Sequence, residues 1–155
     1  YGTAKQWIPA HAAALASLTT DGGSQCVLVG SRGDVATGQA VLGELPAPVR
    51  ARVLNLIGDT AIDMLAGVLA VANVCVGNDS GATHLAAAIG TPVVGIFGPT
   101  NELLSSPRPR AAGRVTVLTH PVWCRPCMLR ECPIDRSCMT GISAERVYEH
   151  VRSQM

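Results

Sequence analysis

The sequence predicts an α/β protein built on a parallel β-sheet. Three observations lead there. Five short apolar runs alternate with stretches of helical spacing, the runs are apolar on both faces, and aromatic residues make up only 3% of the chain. Strands covered by helices on each side must be apolar on both faces. A core short of aromatics must be built from Ala, Val, Leu and Ile, which let helices lie close on a sheet.

Each element follows from a local signal. Helix is expected over Pro9–Leu18, where Pro9 suits a first helical turn. Asp21-Gly22-Gly23-Ser24 reads as a turn before the first strand, Cys26–Gly30 (CVLVG). A second helix spans Asp34–Leu45 with Asp34 as its N-cap, and a second strand, Val53–Ile57 (VLNLI), ends at Gly58. Thr60 caps a third helix over Ala61–Ala72. The strand Val74–Gly77 (VCVG), the helix Gly81–Ile89 and the strands Pro92–Phe97 (PVVGIF) and Val115–Leu118 follow. Ser143–Ser153 closes the chain as a helix with Ser143 at its cap and Glu145 in its first turn. Asn101–Gly113 and Thr119–Gly141 read as surface loops, the second so long that something must order it. Joined by right-handed crossovers, these elements make a Rossmann-like doubly wound parallel sheet, one domain over residues 1–155.

Composition excludes several function classes. With 48% apolar and 15% charged residues among 155, the chain buries a core and is not a disordered segment. Its formal charge of +1, with acids and bases interspersed, offers no basic stripe for nucleic acid. The apolar runs Ala66–Ala72 and Ala86–Ile89 are too short to span a bilayer. The chain opens at Tyr1 on a loop and helix rather than a strand, so a first strand is expected to precede it.

Ligands of open parallel sheets bind beyond the carboxyl ends of the strands. Four loops lie there. Asn78-Asp79-Ser80-Gly81-Ala82-Thr83-His84 leaves a strand and enters a helix. The free N–H groups of a first helical turn and the helix dipole form an anion site. Gly81 permits close backbone approach, the hydroxyls of Ser80 and Thr83 could add donors, and His84 follows Ser80 by one turn. A diphosphate suits such a site; an ordinary capped helix with a packed histidine is the alternative. Thr3-Ala4-Lys5 puts a cation just before a helix, where it serves a phosphate or solvent. Ser31-Arg32-Gly33-Asp34 and Asp59-Thr60 are polar strand-end loops that singly read as helix caps. Four polar loops on one sheet edge together describe a cleft. Gly95-Ile96-Phe97-Gly98-Pro99-Thr100 leaves the same edge, either as a wall of that cleft or as a plain strand exit.

The order Asn78-Asp79-Ser80-Gly81-x-x-His84-Leu85-Ala86-Ala87-Ala88, Gly90-Thr91-Pro92-Val93-Val94 and Phe97-Gly98-Pro99-Thr100 resembles glycosyltransferase family 9, which includes the ADP-heptose:lipopolysaccharide heptosyltransferases. Tyr1-Gly2-x-Ala4-Lys5-x-Trp7 is similar to the heptosyltransferase II type. The resemblance implies a GT-B architecture of two Rossmann-like domains, with this chain as the C-terminal half. It implies an N-terminal acceptor domain, bearing a general base, outside the chain. It further implies that Asn78, Asp79, Ser80, Gly81 and His84 contact diphosphate and sugar, that Lys5 with Thr3 reaches the phosphates, and that Ser31, Arg32, Asp34, Asp59 and Thr60 line the nucleoside pocket. The activity implied is inverting transfer of heptose from ADP-heptose, or a related nucleotide-sugar, to the lipopolysaccharide inner core. The resemblance also leads one to expect that no metal is required for catalysis, that the lipid A-core acceptor is met through the other domain, and that the protein is cytoplasmic, at most peripheral to the inner membrane. The chain alone is expected to bind and not turn over. A non-catalytic nucleotide-binding module, or a GT-B transferase or epimerase using a UDP-sugar, is the alternative, because folds of this kind host many functions.

Six cysteines divide unevenly. Cys26 and Cys75 sit inside apolar runs and read as small hydrophobes. Cys124, Cys127, Cys132 and Cys138 crowd into Thr119–Gly141 with the spacing C-x2-C-x4-C-x5-C. That pattern is compatible with a tetrahedral structural zinc, which would order the loop. Iron–sulfur ligation, two local disulfides and four reduced thiols are its rivals.

Overall fold

The computed structural model describes residues 2–110 and 113–155, so Tyr1 of the opening motif and two residues of the Asn101–Gly113 stretch lie outside the described residues. In chain order the helices and strands are α1 (Pro9–Asp21), β1 (Cys26–Leu28), α2 (Val35–Glu44), α3 (Ala47–Arg50), β2 (Val53–Asn55), α4 (Ile62–Val71), β3 (Cys75–Asn78), α5 (Gly81–Ile89), β4 (Val93–Phe97), α6 (Glu102–Ser105), β5 (Val115–Thr119), α7 (Ser137–Thr140) and α8 (Ala144–Arg152). The strand–helix alternation and the parallel pairing are those expected. Instead of one five-stranded ladder, however, hydrogen bonding joins β1 to β2 and, separately, β3 to β4 to β5. Among the described residues no helix is long and apolar enough to cross a membrane.

The chain divides into two compact units, residues 8–65 and the remainder. In the first, β1 and β2 pair in parallel with Cys26 opposite Val53. Helix α1 packs on α2, α3 and β1. Ala13, Ala16, Val41 and Leu45 form the core, with Leu28, Val49 and Val53 against it. Alanines on α1 let α2 approach closely, the role foreseen for small residues.

In the second unit β4 is central, flanked by β3 and β5, and all five of its residues are buried. A parallel strand covered on both faces needs such an unbroken apolar run. Helix α5 packs on β3 and β4, and α7 and α8 pack on β4. Ile96, Phe97, Met139, Ile142 and Val147 are almost wholly excluded from solvent, each burial contributing roughly 1.5–3 kcal/mol. Helix α5 ends at Gly90, whose φ of +97° gives the left-handed C-cap that glycine adopts freely. Thr91 follows, buried, its hydroxyl donating to the Leu69 carbonyl (2.7 Å).

Two caps differ in detail from expectation, and a third was not foreseen. Asp34 occupies the N-cap position of α2 as expected, but its side chain does not bond the helix; its Oδ2 accepts from the N–H and hydroxyl of Ser31 (2.9 and 2.6 Å). Ser-x-x-Asp is itself a capping-box pattern, so Ser31 captures the carboxylate first. Before α4 the carbonyl of Ala61, not Thr60, accepts the first helical bond, from Leu65 (2.8 Å). The expected loop after β4 contains α6, where Asn101 Oδ1 accepts from the Leu103 N–H (3.0 Å).

Candidate functional site

The site assembles where β3 ends and α5 begins. Ser80 is extended (φ −151°, ψ 162°) and occupies the cap position of α5. Its carbonyl accepts from the His84 N–H (3.3 Å). Thr83 is fully buried; its hydroxyl donates toward the carbonyls of Ser80 (2.8 Å) and Asn78 (3.1 Å). In turn the Ser80 N–H donates to Thr83 Oγ1 (3.4 Å). The Thr83 hydroxyl is therefore spent within the turn and is no ligand donor, a correction to the expectation from sequence. Gly77 makes the turn possible, since a Cβ there would stand 2.9 Å from the Thr83 methyl. Gly81 is different. A Cβ there would meet nothing within 4 Å, so the protein's own packing does not demand glycine at this first helical position.

A second segment converges on the same turn. Thr3–Lys5 forms one 3-10 turn, and the Lys5 ammonium donates to the Asp79 carbonyl (2.5 Å). Anchors on either side hold it. The Ala4 N–H donates to the Arg130 carbonyl (3.0 Å), and the Trp7 N–H to Asn78 Oδ1 (3.2 Å). The buried Trp7 indole donates to the Ile142 carbonyl (2.9 Å). Asn78 thus tethers the Lys5 segment. Thr3 is exposed, its carbonyl accepting from Gln6 (3.1 Å) and from Arg136 (3.4 Å).

Asp79 is buried, with 8% exposure. Its Oδ2 accepts from the Ser105 hydroxyl (3.1 Å), and its Oδ1 lies 3.5 Å from Nε2 of the half-exposed His84. The carboxylate is positioned to orient the imidazole. Ser105 was not foreseen. Its only signal is the Asn101-Glu102 cap, which builds the short α6 that carries it to Asp79.

The structure brings together Lys5, Asn78, Asp79, Ser80, Gly81 and His84. Ser31, Arg32, Asp34, Asp59 and Thr60 belong to the other unit. There the loops following β1 and β2 meet each other: the Gly58 N–H donates to the Gly30 carbonyl (3.0 Å). Gly58, at φ +87°, lets its loop pass close to Arg32 and Val35.

All six cysteines are free thiols. Burial pushes Cys26 up from its usual range and Cys75 up to about 11. Cys124, Cys127, Cys132 and Cys138 line one cavity of about 120 Å³ with Ala4, Pro99 and Arg136. Burial pushes the Cys138 thiol up, and the neighbouring Cys124, Cys127 and Cys132 push it further. Among the described residues no three His, Cys, Asp or Glu side chains stand together at metal-ligand spacing. Arg125, between the first two cysteines, donates to the Gly98 carbonyl (2.6 Å) and to Glu102 (2.9 Å). Phe97 and Pro99 are buried in the core, so the exit of β4 is packing with a turn.

Comparison with known proteins extends this picture. The family model described as glycosyltransferase family 9 (heptosyltransferase) matches residues 1–137. Lipopolysaccharide heptosyltransferase 2 of Escherichia coli is 35% identical over 119 residues, 77% of this chain and 34% of that protein. Lipooligosaccharide heptosyltransferase 2 of Haemophilus influenzae is 34% identical over 107 residues, 69% of this chain and 31% of its own length. The solved structure of E. coli ADP-heptose LPS heptosyltransferase II superposes with a TM-score of 0.83 at 30% identity, over 99% of this chain and 43% of that one. The chain therefore spans about a third of the length of the curated relatives it matches.

Proposed function

The chain belongs to glycosyltransferase family 9, the heptosyltransferases, and on that premise we propose that the β3–α5 turn with Lys5 holds the diphosphate of a nucleotide-sugar of the ADP-heptose type. The observation that carries this reading is the Lys5 ammonium at the Asp79 carbonyl. It sets a positive charge beside the N-terminus of α5, where free N–H groups and the helix dipole already favour an anion. Gly81 faces open space at that point, so a phosphate can approach the backbone without meeting a side chain. The half-exposed His84 follows Ser80 by one helical turn, and Asp79 acts through it as a positioning residue: a carboxylate in direct contact would repel a diphosphate.

In this role the site serves the leaving group. As the sugar departs with inversion toward an acceptor hydroxyl, negative charge grows on the diphosphate. The Lys5 charge and the first-turn N–H groups of α5 are fixed in place to receive it, so no solvent must reorganise. The adenine nucleotide and heptose come from the named relatives, as does the lipopolysaccharide acceptor.

Calorimetry with ADP, UDP and GDP tests the proposal. ADP should bind most tightly. Preference for UDP, or no binding of any of the three, rejects the ADP-heptose reading.

A further inference from the structure

We propose that Cys124, Cys127, Cys132 and Cys138 bind one zinc ion as a tetrathiolate, and that this ion holds residues 120–136 against the segment that carries Lys5. The four thiols are spread over fifteen residues and yet line a single cavity. Zinc takes four thiolates at about 2.3 Å in a closed tetrahedron. In their thiol form the sulfurs do not stand at that spacing. A single rotamer step swings a cysteine sulfur by about 3 Å, so side-chain rotation can bring them to one centre.

The segment itself calls for such a tie. Residues 120–136 contain no helix or strand, longer than connections that order themselves. Met128 and Arg136 are the two non-glycine residues with positive φ among the described residues (+57° and +56°), and both belong to this segment. Left-handed backbone at such residues persists where the surroundings over-determine it. Four thiols and one zinc ion give a dianionic centre and release four protons; Arg136 lines the cavity and supplies one positive charge there.

The consequence reaches the anion site. The segment's Arg130 carbonyl accepts from Ala4, its Arg136 donates to the Thr3 carbonyl, and Gly2 packs so closely on Arg130 that a Cβ would overlap it. These contacts hold the backbone that leads directly into Lys5.

The whole chain, purified under reductant without added metal, should carry one zinc per chain by elemental analysis. Cobalt(II) in its place should show the intense visible bands of a tetrahedral tetrathiolate. Cys132→Ser should lose the metal, and Cys26→Ser should keep it. If the Cys132 variant fails to fold, the cobalt spectrum of the unaltered chain decides. A reduced chain that takes up neither metal, disulfides among the four in protein alkylated at harvest, or bound iron and sulfide would each overturn the site. Chelating the zinc should weaken ADP binding about tenfold, as loss of supporting contacts does; unchanged affinity overturns the link to Lys5. The metal count does not depend on nucleotide binding, so the two proposals fail separately, and Lys5→Ala should retain its zinc.

Discussion

The ammonium of Lys5 donates to the backbone carbonyl of Asp79, 74 residues further along the chain. A carbonyl at the mouth of α5 fixes where the cation sits, and Trp7 and Ala4 fix the backbone that delivers it. Two weak sequence signals, a lysine before a helix and a polar turn after a strand, are joined by this contact.

Removing the charge should therefore cost binding far more than stability. Lys5→Ala is expected to weaken ADP by about 10- to 100-fold, the range of a lost charged hydrogen bond, in calorimetry. Its urea midpoint should move little, because the side chain is only half-buried. Unaltered ADP affinity would remove Lys5 from the site.

Gly81 offers the reverse test of packing. A methyl group there meets nothing in the protein, and Gly→Ala at a compatible helical position stabilises by about 0.4–1 kcal/mol. Gly81→Ala should keep or raise the melting temperature while weakening ADP. A variant that binds ADP normally would show that the open space holds no phosphate.

Thr83 and His84 are adjacent and should separate cleanly. Thr83→Val keeps the volume but leaves the Ser80 and Asn78 carbonyls without their hydroxyl donor, costing about 1–3 kcal/mol in urea unfolding. His84→Ala, on a half-exposed side chain, should leave stability nearly intact and weaken binding. Equal stability losses for the two would contradict this division.

Cys75 confers a pH dependence. Burial raises its thiol from 9.0 to about 11, so the folded state holds a proton that the unfolded chain releases. The stability this contributes is fully present below pH 9 and is lost as pH rises toward 11. Melting curves across that window should fall less steeply for Cys75→Ala than for the unaltered chain. The raised Cys26 thiol shifts in the same direction and leaves a residual slope.

Most strand and helix positions were legible because their signals are local. The buried run Val93–Phe97, the capped helix from Gly81 and the Ser143 cap stand as expected, with ends moved by one to three residues where backbone hydrogen bonds, not apolarity, set the boundary. The short α6 and α7 were not legible. Four-residue helices carry less than one full period of the pattern that reveals longer ones.

The sequence by itself determined the α/β class, the parallel strands and the capped strand-to-helix turn Asn78–His84, since periodicity, caps and glycine placement act over neighbouring residues. Only the tertiary structure decided what each group in that turn does. Thr83 turned inward to the backbone, Asp79 was claimed by Ser105 and His84, and Lys5 arrived at the Asp79 carbonyl. It also drew four cysteines around one cavity beside Ala4. Hydrogen-bond partners distant in sequence carry no local pattern, and which donor reaches which acceptor is settled only when the packed strands and helices bring them within about 3 Å.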